Sequence, residues 1–181
     1  MVEEKLSLDG LKLFSPKVFK DERGYFTEFY NKQDFDTAVG KDIHFVQDNI
    51  SCSHKNVIRG LHFQRPPSGQ GKLIQVLRGR VIDVIVDLRK NSRTYGEHCK
   101  IELSDKNHKK LWIPSGFAHG FLSLENNTLL SYKCSEYYSV EHEMSLRWND
   151  ELINVNWGIK DPIVSKKDME APSFKHFDSP F

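Results

Sequence analysis

Apolar and polar residues alternate along this chain in short runs bounded by glycine, proline and asparagine, the pattern of strands rather than of long helices. The stretch "KLIQVLRGRVIDVIVDL" (72–88) reads as two strands around the tight turn "RGR". "KIELSD" (100–105), "KKLWIP" (109–114), "GFLSLE" (120–125) and "TLLSYKCSEYY" (128–138) continue the series. "RGYFTEFY" (23–30) alternates more loosely and is rich in aromatics. "NKQDFDTAVG" (31–40) predicts one short helix, with Asn31 as its N-cap and Gly40 as its stop. From Asn149 the pattern is mixed and punctuated by "WND", "DP" and "SP", which predicts loops and a short helical turn wrapped around the body. Many short strands at this spacing predict an all-β sandwich or barrel. No linker, repeat or charge block divides the chain, so residues 1–181 are expected to form a single domain.

Composition sharpens this picture in three places. Hydrophobic residues make up only 38% of the chain, which predicts strands with one wet face. Lysine and arginine (26) balance aspartate and glutamate (25), which argues against nucleic acid or an anionic membrane as a general partner. A local basic pocket for a small anion stays open. Cys52, Cys99 and Cys134 are widely spaced with no C-x-x-C pair, so neither a zinc site nor a redox motif is supported. Free thiols point to a reducing compartment. The segment "MVEEKLSLDG" lacks a basic region followed by an apolar one, and no run approaches the ~20 apolar residues of a membrane helix. A cytoplasmic location is expected.

Two histidines stand in defined settings. His62 lies in "VIRGLHFQ", and His119 lies in "WIPSGFAHGF", where Pro114 and Gly116 shape a turn into a strand. A P-x-G-x-x-H turn entering a strand is the second half of the cupin pattern. Metal-binding cupins supply H-x-H and a glutamate in the first half, whereas "GLHFQ" supplies one histidine. Two histidines without a third ligand make a poor metal site, so no metal is expected. Arg59 precedes His62 by three residues. On a regular strand that offset would put the two side chains on opposite faces, so a shared site requires irregular backbone near Gly60.

The motifs "DERGYFTEFY", "FVQDNIS", "VIRGLHFQ", "GQGKLIQVLRGRVIDVIVDLR", "LWIPSGFAHGF", "YKCSEYY", "LRWND" and "SKKD" occur in this order. Together they resemble the dTDP-4-dehydrorhamnose 3,5-epimerase family from about residue 10 to 172. The resemblance implies a cupin jelly roll, a double-stranded β-helix with short helices at the termini. It also implies a homodimer, no cofactor, and a nucleoside-diphosphate-linked 4-keto sugar as substrate, used in surface polysaccharide assembly such as O-antigen or capsule.

A 4-ketone acidifies the hydrogens on carbons 3 and 5. Inversion then needs a base on one face, an acid on the other, and a group that holds the enolate oxygen. Histidine suits the base because its ordinary pKa of ~6.5 lies near neutrality. By resemblance His62 is the base and Asp168 its carboxylate partner, Tyr132 is the acid, and Lys72 holds the enolate oxygen with His119, a further catalytic candidate, close by. Two glycines before Lys72, at 69 and 71, are expected to let backbone approach a ligand. Arg23 and Arg59, and Lys72 again, are candidates for the diphosphate, since arginine matches phosphate oxygens bidentately. Phe26, Glu28, Gln47 and Asn49 match pocket-lining positions, and Tyr138 matches an aromatic that packs on the nucleotide sugar. In the dimer, Arg23 and Phe26 are expected to complete the partner's pocket.

The chain departs from the family pattern at "QDNIS", "INVNWG" and "RPPSGQGK". These departures leave open a guanosine-linked 4-keto heptose as substrate, or inversion of one carbon only. Two other classes also remain: a sugar-nucleotide-binding cupin without turnover, and a metal-dependent cupin enzyme.

Overall fold

The computed structural model describes residues 2–4 and 6–181. In chain order the first strands are β1 (Val2–Glu4), β2 (Lys12–Ser15), β3 (Val18–Asp21) and β4 (Gly24–Thr27), followed by helix α1 (Lys32–Val39). Then come β5 (Gln47–Ser53), β6 (Val57–Gln64), β7 (Lys72–Arg78), β8 (Arg80–Asp87), β9 (His98–Ser104) and β10 (Lys110–Ile113). The chain continues through β11 (Phe117–Ser123), β12 (Thr128–Cys134), β13 (Glu143–Ser145) and β14 (Ile163–Val164), and helix α2 (Lys166–Met169) follows. Among the described residues the strands form two large sheets and a separate hairpin. The first sheet has the order β1-β2-β10-β7-β12-β5, the second β13-β6-β11-β8-β9 with β14 beside β6, and the hairpin is β3-β4. From β5 to β8, and again from β9 to β13, consecutive strands alternate between the sheets in jelly-roll fashion, while β8 and β9 pair with each other in the second.

Local chemistry accounts for several of these elements. The Asn31 side chain accepts from the Asp34 N–H, and Gly40 ends α1 with φ +72°, so both predicted caps are in place. The strands flanking "RGR" are present, but they do not pair as a hairpin. β7 lies in the first sheet and β8 in the second, so Gly79 is the corner where the chain changes sheets. Strand β11 starts at Phe117, upstream of His119, and β12 stops at Cys134, which leaves Tyr137 and Tyr138 beyond it. Of "RGYFTEFY" only Gly24–Thr27 is strand.

The expectation of one wet face per strand holds for β5, where half-buried and exposed residues alternate, and for Lys100–Leu103 of β9, and fails for the central strands β8 and β11 of the second sheet. Every residue of β11 is buried. One side of this sheet, with Val81, Ile85, Phe117 and Phe121, packs on Leu13, Ile74, Leu111 and Leu130 of the first sheet. Its other side, with Val84, Val86, Ala118 and Leu122, is covered by Leu146, Ile153 and Trp157 from the chain's last third. The tail therefore does more than wrap. It supplies a third layer, so that "VIDVIVD" is buried on both faces. On the outer face of the first sheet, Phe35 of α1 packs on Phe14, Leu73 and Trp112.

Candidate active site

Polar side chains replace the inter-sheet core at one end of the sandwich. His62 on β6 and His119 on β11 are direct cross-strand partners, so both project from the second sheet on the same side. On the first sheet Tyr132 pairs with Asn49, and Cys134 pairs with Gln47 on one flank and Lys72 on the other. Two adjoining cavities of about 260 and 250 Å³ lie between these rows, and His62, Lys72 and Tyr132 line both. Gln47, Asn49 and Tyr138 line the outer one, and Arg59 and His119 the inner one.

Arg59 and His62 share a cavity because the backbone between them is irregular. Gly60 has φ +119°, and the β6–β11 register shifts between His119 and Phe121. Ile58 packs on the outer side of the sheet together with Leu61 and Phe63, so the alternation changes phase at Gly60. A Cβ at Gly60 would stand 2.5 Å from the Cα of Gly120, which requires glycine at that crossing. The expectation for Gly71 is corrected. A Cβ there would fall 2.3 Å from the Trp112 ring, so this glycine makes room for an indole and not for a ligand.

His62 Nε2–H donates to Asp168 Oδ1 at 2.6 Å, which leaves Nδ1 of the neutral ring with a free lone pair. The sequence brings the two together in steps. Strand β14 runs parallel to β6 at Val57 and Ile58, and Ser165 then caps α2 by accepting from the Asp168 N–H. This lays the Asp168 carboxylate over β6, where it also accepts from the Gly60 N–H at 3.3 Å. Burial alone would raise the Asp168 pKa. The hydrogen bond and charge of His62, with the Gly60 and Ser165 contacts, instead hold it below the usual carboxylate range.

The opposite wall has different electrostatics. Burial, with the neighbouring Cys134, pushes the Tyr132 phenol above its ordinary value, while Arg59 pulls the other way. The phenol therefore holds its proton near neutrality. Burial lowers the Lys72 pKa against the attraction of Cys134, Asp83 and Glu143, although the side chain is only partly covered. His119 Nε2 lies 2.9 Å from Asp83 Oδ2, and this carboxylate is fully buried. Burial raises the Asp83 pKa, and its Oδ1 has no partner among the described residues.

Arg23, Phe26 and Glu28 are not brought to the cleft. Arg23 is exposed on the β3–β4 hairpin and pairs with Asp21 at 2.5 Å. Phe26 is 68% exposed, and the exposed Glu28 side chain is bonded only weakly, by Asn31 at 3.4 Å.

Other site residues escaped the sequence reading. Glu143 lines the outer cavity and accepts from the Tyr138 hydroxyl at 2.9 Å and from Lys167 at 2.5 Å. Nothing in its spacing marks it. Asp83 carries a signal that could have been used, a lone carboxylate inside the apolar run "VIDVIV". Among the described residues no three His, Cys, Asp or Glu side chains are grouped to hold a metal ion.

A jelly roll with a histidine–carboxylate pair facing a phenol across the inter-sheet cleft defines a cupin-like protein whose cleft holds groups able to accept and donate a proton. The chain belongs to the dTDP-4-dehydrorhamnose 3,5-epimerase family, whose description matches residues 5–176. The dTDP-4-dehydrorhamnose 3,5-epimerase of Salmonella typhimurium is 47% identical over 173 residues, covering 95% of this chain and 94% of its own. The crystal structure of the Elizabethkingia anophelis enzyme of that name aligns with a TM-score of 0.92 at 46% identity, over 97% of each chain. A dTDP-6-deoxy-D-glucose-3,5-epimerase from Legionella pneumophila, solved in complex with dTDP-4-keto-L-rhamnose, aligns with a TM-score of 0.93 at 39% identity. That alignment covers 98% of this chain and 94% of the other.

Proposed function

We infer that this chain is an isomerase that inverts carbons 3 and 5 of a dTDP-linked 4-keto sugar, serving polysaccharide biosynthesis. The observation that carries the reading is the His62–Asp168 pair on one sheet and Tyr132 on the other, lining the same two cavities. His62 Nδ1 takes the proton next to the ketone, and Asp168 stabilises the imidazolium that forms. Lys72 donates to the enolate oxygen as charge develops there, with His119 close by. Tyr132 returns a proton to the opposite face. Arg59 takes the diphosphate, Gln47 and Asn49 line the approach, and Tyr138 packs on the nucleotide. No step draws on a metal or cofactor. The expected result with a panel of 4-keto sugars on thymidine and guanosine diphosphates, in deuterated water containing a chelator, is deuterium at carbons 3 and 5 of the thymidine-linked hexose. Exchange confined to a guanosine-linked heptose, or dependent on one added divalent metal, would overturn this reading.

The working unit in this reading is a homodimer in the cytoplasm. Phe19, Tyr25 and Phe26 are exposed on the hairpin, and docking it on a second copy would cover them and bring Arg23, Phe26 and Glu28 to that copy's cleft. Cys52, Cys99 and Cys134 are free thiols, in keeping with a reducing compartment. Mixing two weakly active variants tests the exchange. In a hybrid of Arg23→Ala and His62→Asn, one of the two sites has both its own His62 and the partner's Arg23. Mixed subunits should therefore recover about a quarter of wild-type activity by random pairing. A mixture no more active than its parents would contradict the shared pocket.

A further inference from the structure

Lys110 is a buried lysine that the proton-transfer chemistry does not use. It lies on β10, where its cross-strand partners are Phe14 and Gln75, and only 4% of it is exposed. Its neighbour in the same outward row is Trp112, part of the apolar patch under α1. An apolar residue would suit that row, and a buried cation is costly unless something specific satisfies it. No carboxylate lies within ion-pair distance of Lys110 among the described residues. Its ammonium instead donates to two backbone carbonyls, that of Glu28 at 2.8 Å and that of Phe29, and sits 5.7 Å from the centre of the Phe29 ring. Burial holds its pKa down at about 8, against the pull of the Glu28 carboxylate.

These partners have a definite place in the chain. Residues 28–31 are the stem between the hairpin strand β4 and α1. On the α1 side the stem is fixed by the Asn31 cap and by Tyr30, whose ring meets Phe35 and Phe45. On the hairpin side, Thr27 is bonded to the carbonyl of Lys17 within the hairpin itself. Among the described residues, the aromatic ring that meets Tyr25 is that of His108, with centroids 4.8 Å apart. Among the described residues Lys110 is thus the hydrogen-bonding clamp between the stem and the sheet, and Lys133 of β12 adds a contact 5.4 Å from the centre of the Tyr30 ring.

We propose that Lys110 is a positioning residue for substrate binding: it sets the direction in which the stem presents Arg23, Phe26 and Glu28 to the partner's cleft. The inference rests on the shared-pocket reading above and adds to it the part of the sheet that aims the hairpin. Without the clamp the stem samples several directions, and the apparent affinity falls in proportion to the competent fraction.

The test compares Lys110→Met, which fills the volume without donors, with Lys110→Gln, which keeps an N–H₂ donor without charge. In Lys110→Met a competent fraction of about one tenth would raise KM and the Kd for dTDP about 10-fold, with kcat changed less than about twofold. Lys110→Gln should recover much of that loss. Hydrogen exchange should quicken in residues 24–31 of Lys110→Met and stay unchanged in β7 and β12. A lowered melting temperature with unchanged KM and unchanged exchange would reduce Lys110 to packing and overturn the proposal. Arg23→Ala separates the two readings. If it raises KM and Lys110→Met does not, only the clamp is wrong. If it leaves KM unchanged, the shared pocket is wrong and the clamp's role in binding falls with it.

Discussion

His62→Asn should fold normally and lose turnover by about 10²–10⁴-fold, the usual worth of a general base, or about 3–5 kcal/mol of barrier. Asparagine keeps a polar side chain in β6, so the strand pairing with β11 and β13 has no reason to change. What is lost, on the proposed mechanism, is the ring nitrogen that accepts the proton. Asp168→Asn should fall in the same direction by a different route. The ionised carboxylate fixes the ring with hydrogen on Nε2 and stabilises the imidazolium, and an amide does neither. Because the Asp168 pKa is depressed in the fold, its contribution to stability is present above the ordinary carboxylate range and is lost as pH falls through the lowered value. The check is solvent-deuterium uptake into substrate at neutral pH. A His62→Asn variant that exchanges at the wild-type rate places the base elsewhere.

The fold was legible wherever one local rule decided the outcome. Asn31 and Gly40 bounded α1 because a cap and a left-handed stop act within one turn. The offset of Arg59 from His62 demanded a break in alternation, and Gly60 provides it. Sheet membership was less accessible. "RGR" reads as a hairpin turn locally, and only the pairing of β7 with β12 and of β8 with β11 shows that it turns a corner between layers. The burial of "VIDVIVD" on both faces depended on Leu146, Ile153 and Trp157, some sixty or more residues later in the chain.

The candidate site divides along the same line. His119 was marked by its turn, and the acid–base set came from the ordered motifs taken together, since Asp168 alone reads as a charge in a basic tail. Its meeting with His62 across 106 residues is a product of β14 and α2, which no spacing rule reveals. Asp83 and Glu143 face the site through pairings of β8 and β13 that the local pattern does not encode. Arg23, Phe26 and Glu28 stand apart from the cleft of their own chain, because the hairpin and the stem that carry them belong to neither large sheet.

Tyr132→Phe in deuterated water tests the central claim, that base and acid act from opposite faces of one cleft. His62 and Tyr132 reach the cleft from different sheets, so a proton removed by one and returned by the other changes the configuration at carbon. His62 alone can remove a proton and put a deuteron back on the same face. Burial keeps the Tyr132 hydroxyl protonated near neutrality, so it is ready to donate, and phenylalanine removes that hydroxyl while keeping the ring's packing. The variant should therefore still take deuterium into recovered, uninverted substrate, while epimer formation drops by about 10²-fold or more, the lower bound for losing a general acid. Deuterium content and configuration are read separately at carbons 3 and 5 by NMR. Exchange without inversion is the predicted result. If exchange and inversion fall by the same factor, Tyr132 acts before the proton leaves, on the ketone oxygen. Inversion at the wild-type rate would make Tyr132 a wall residue and contradict the two-faced mechanism outright.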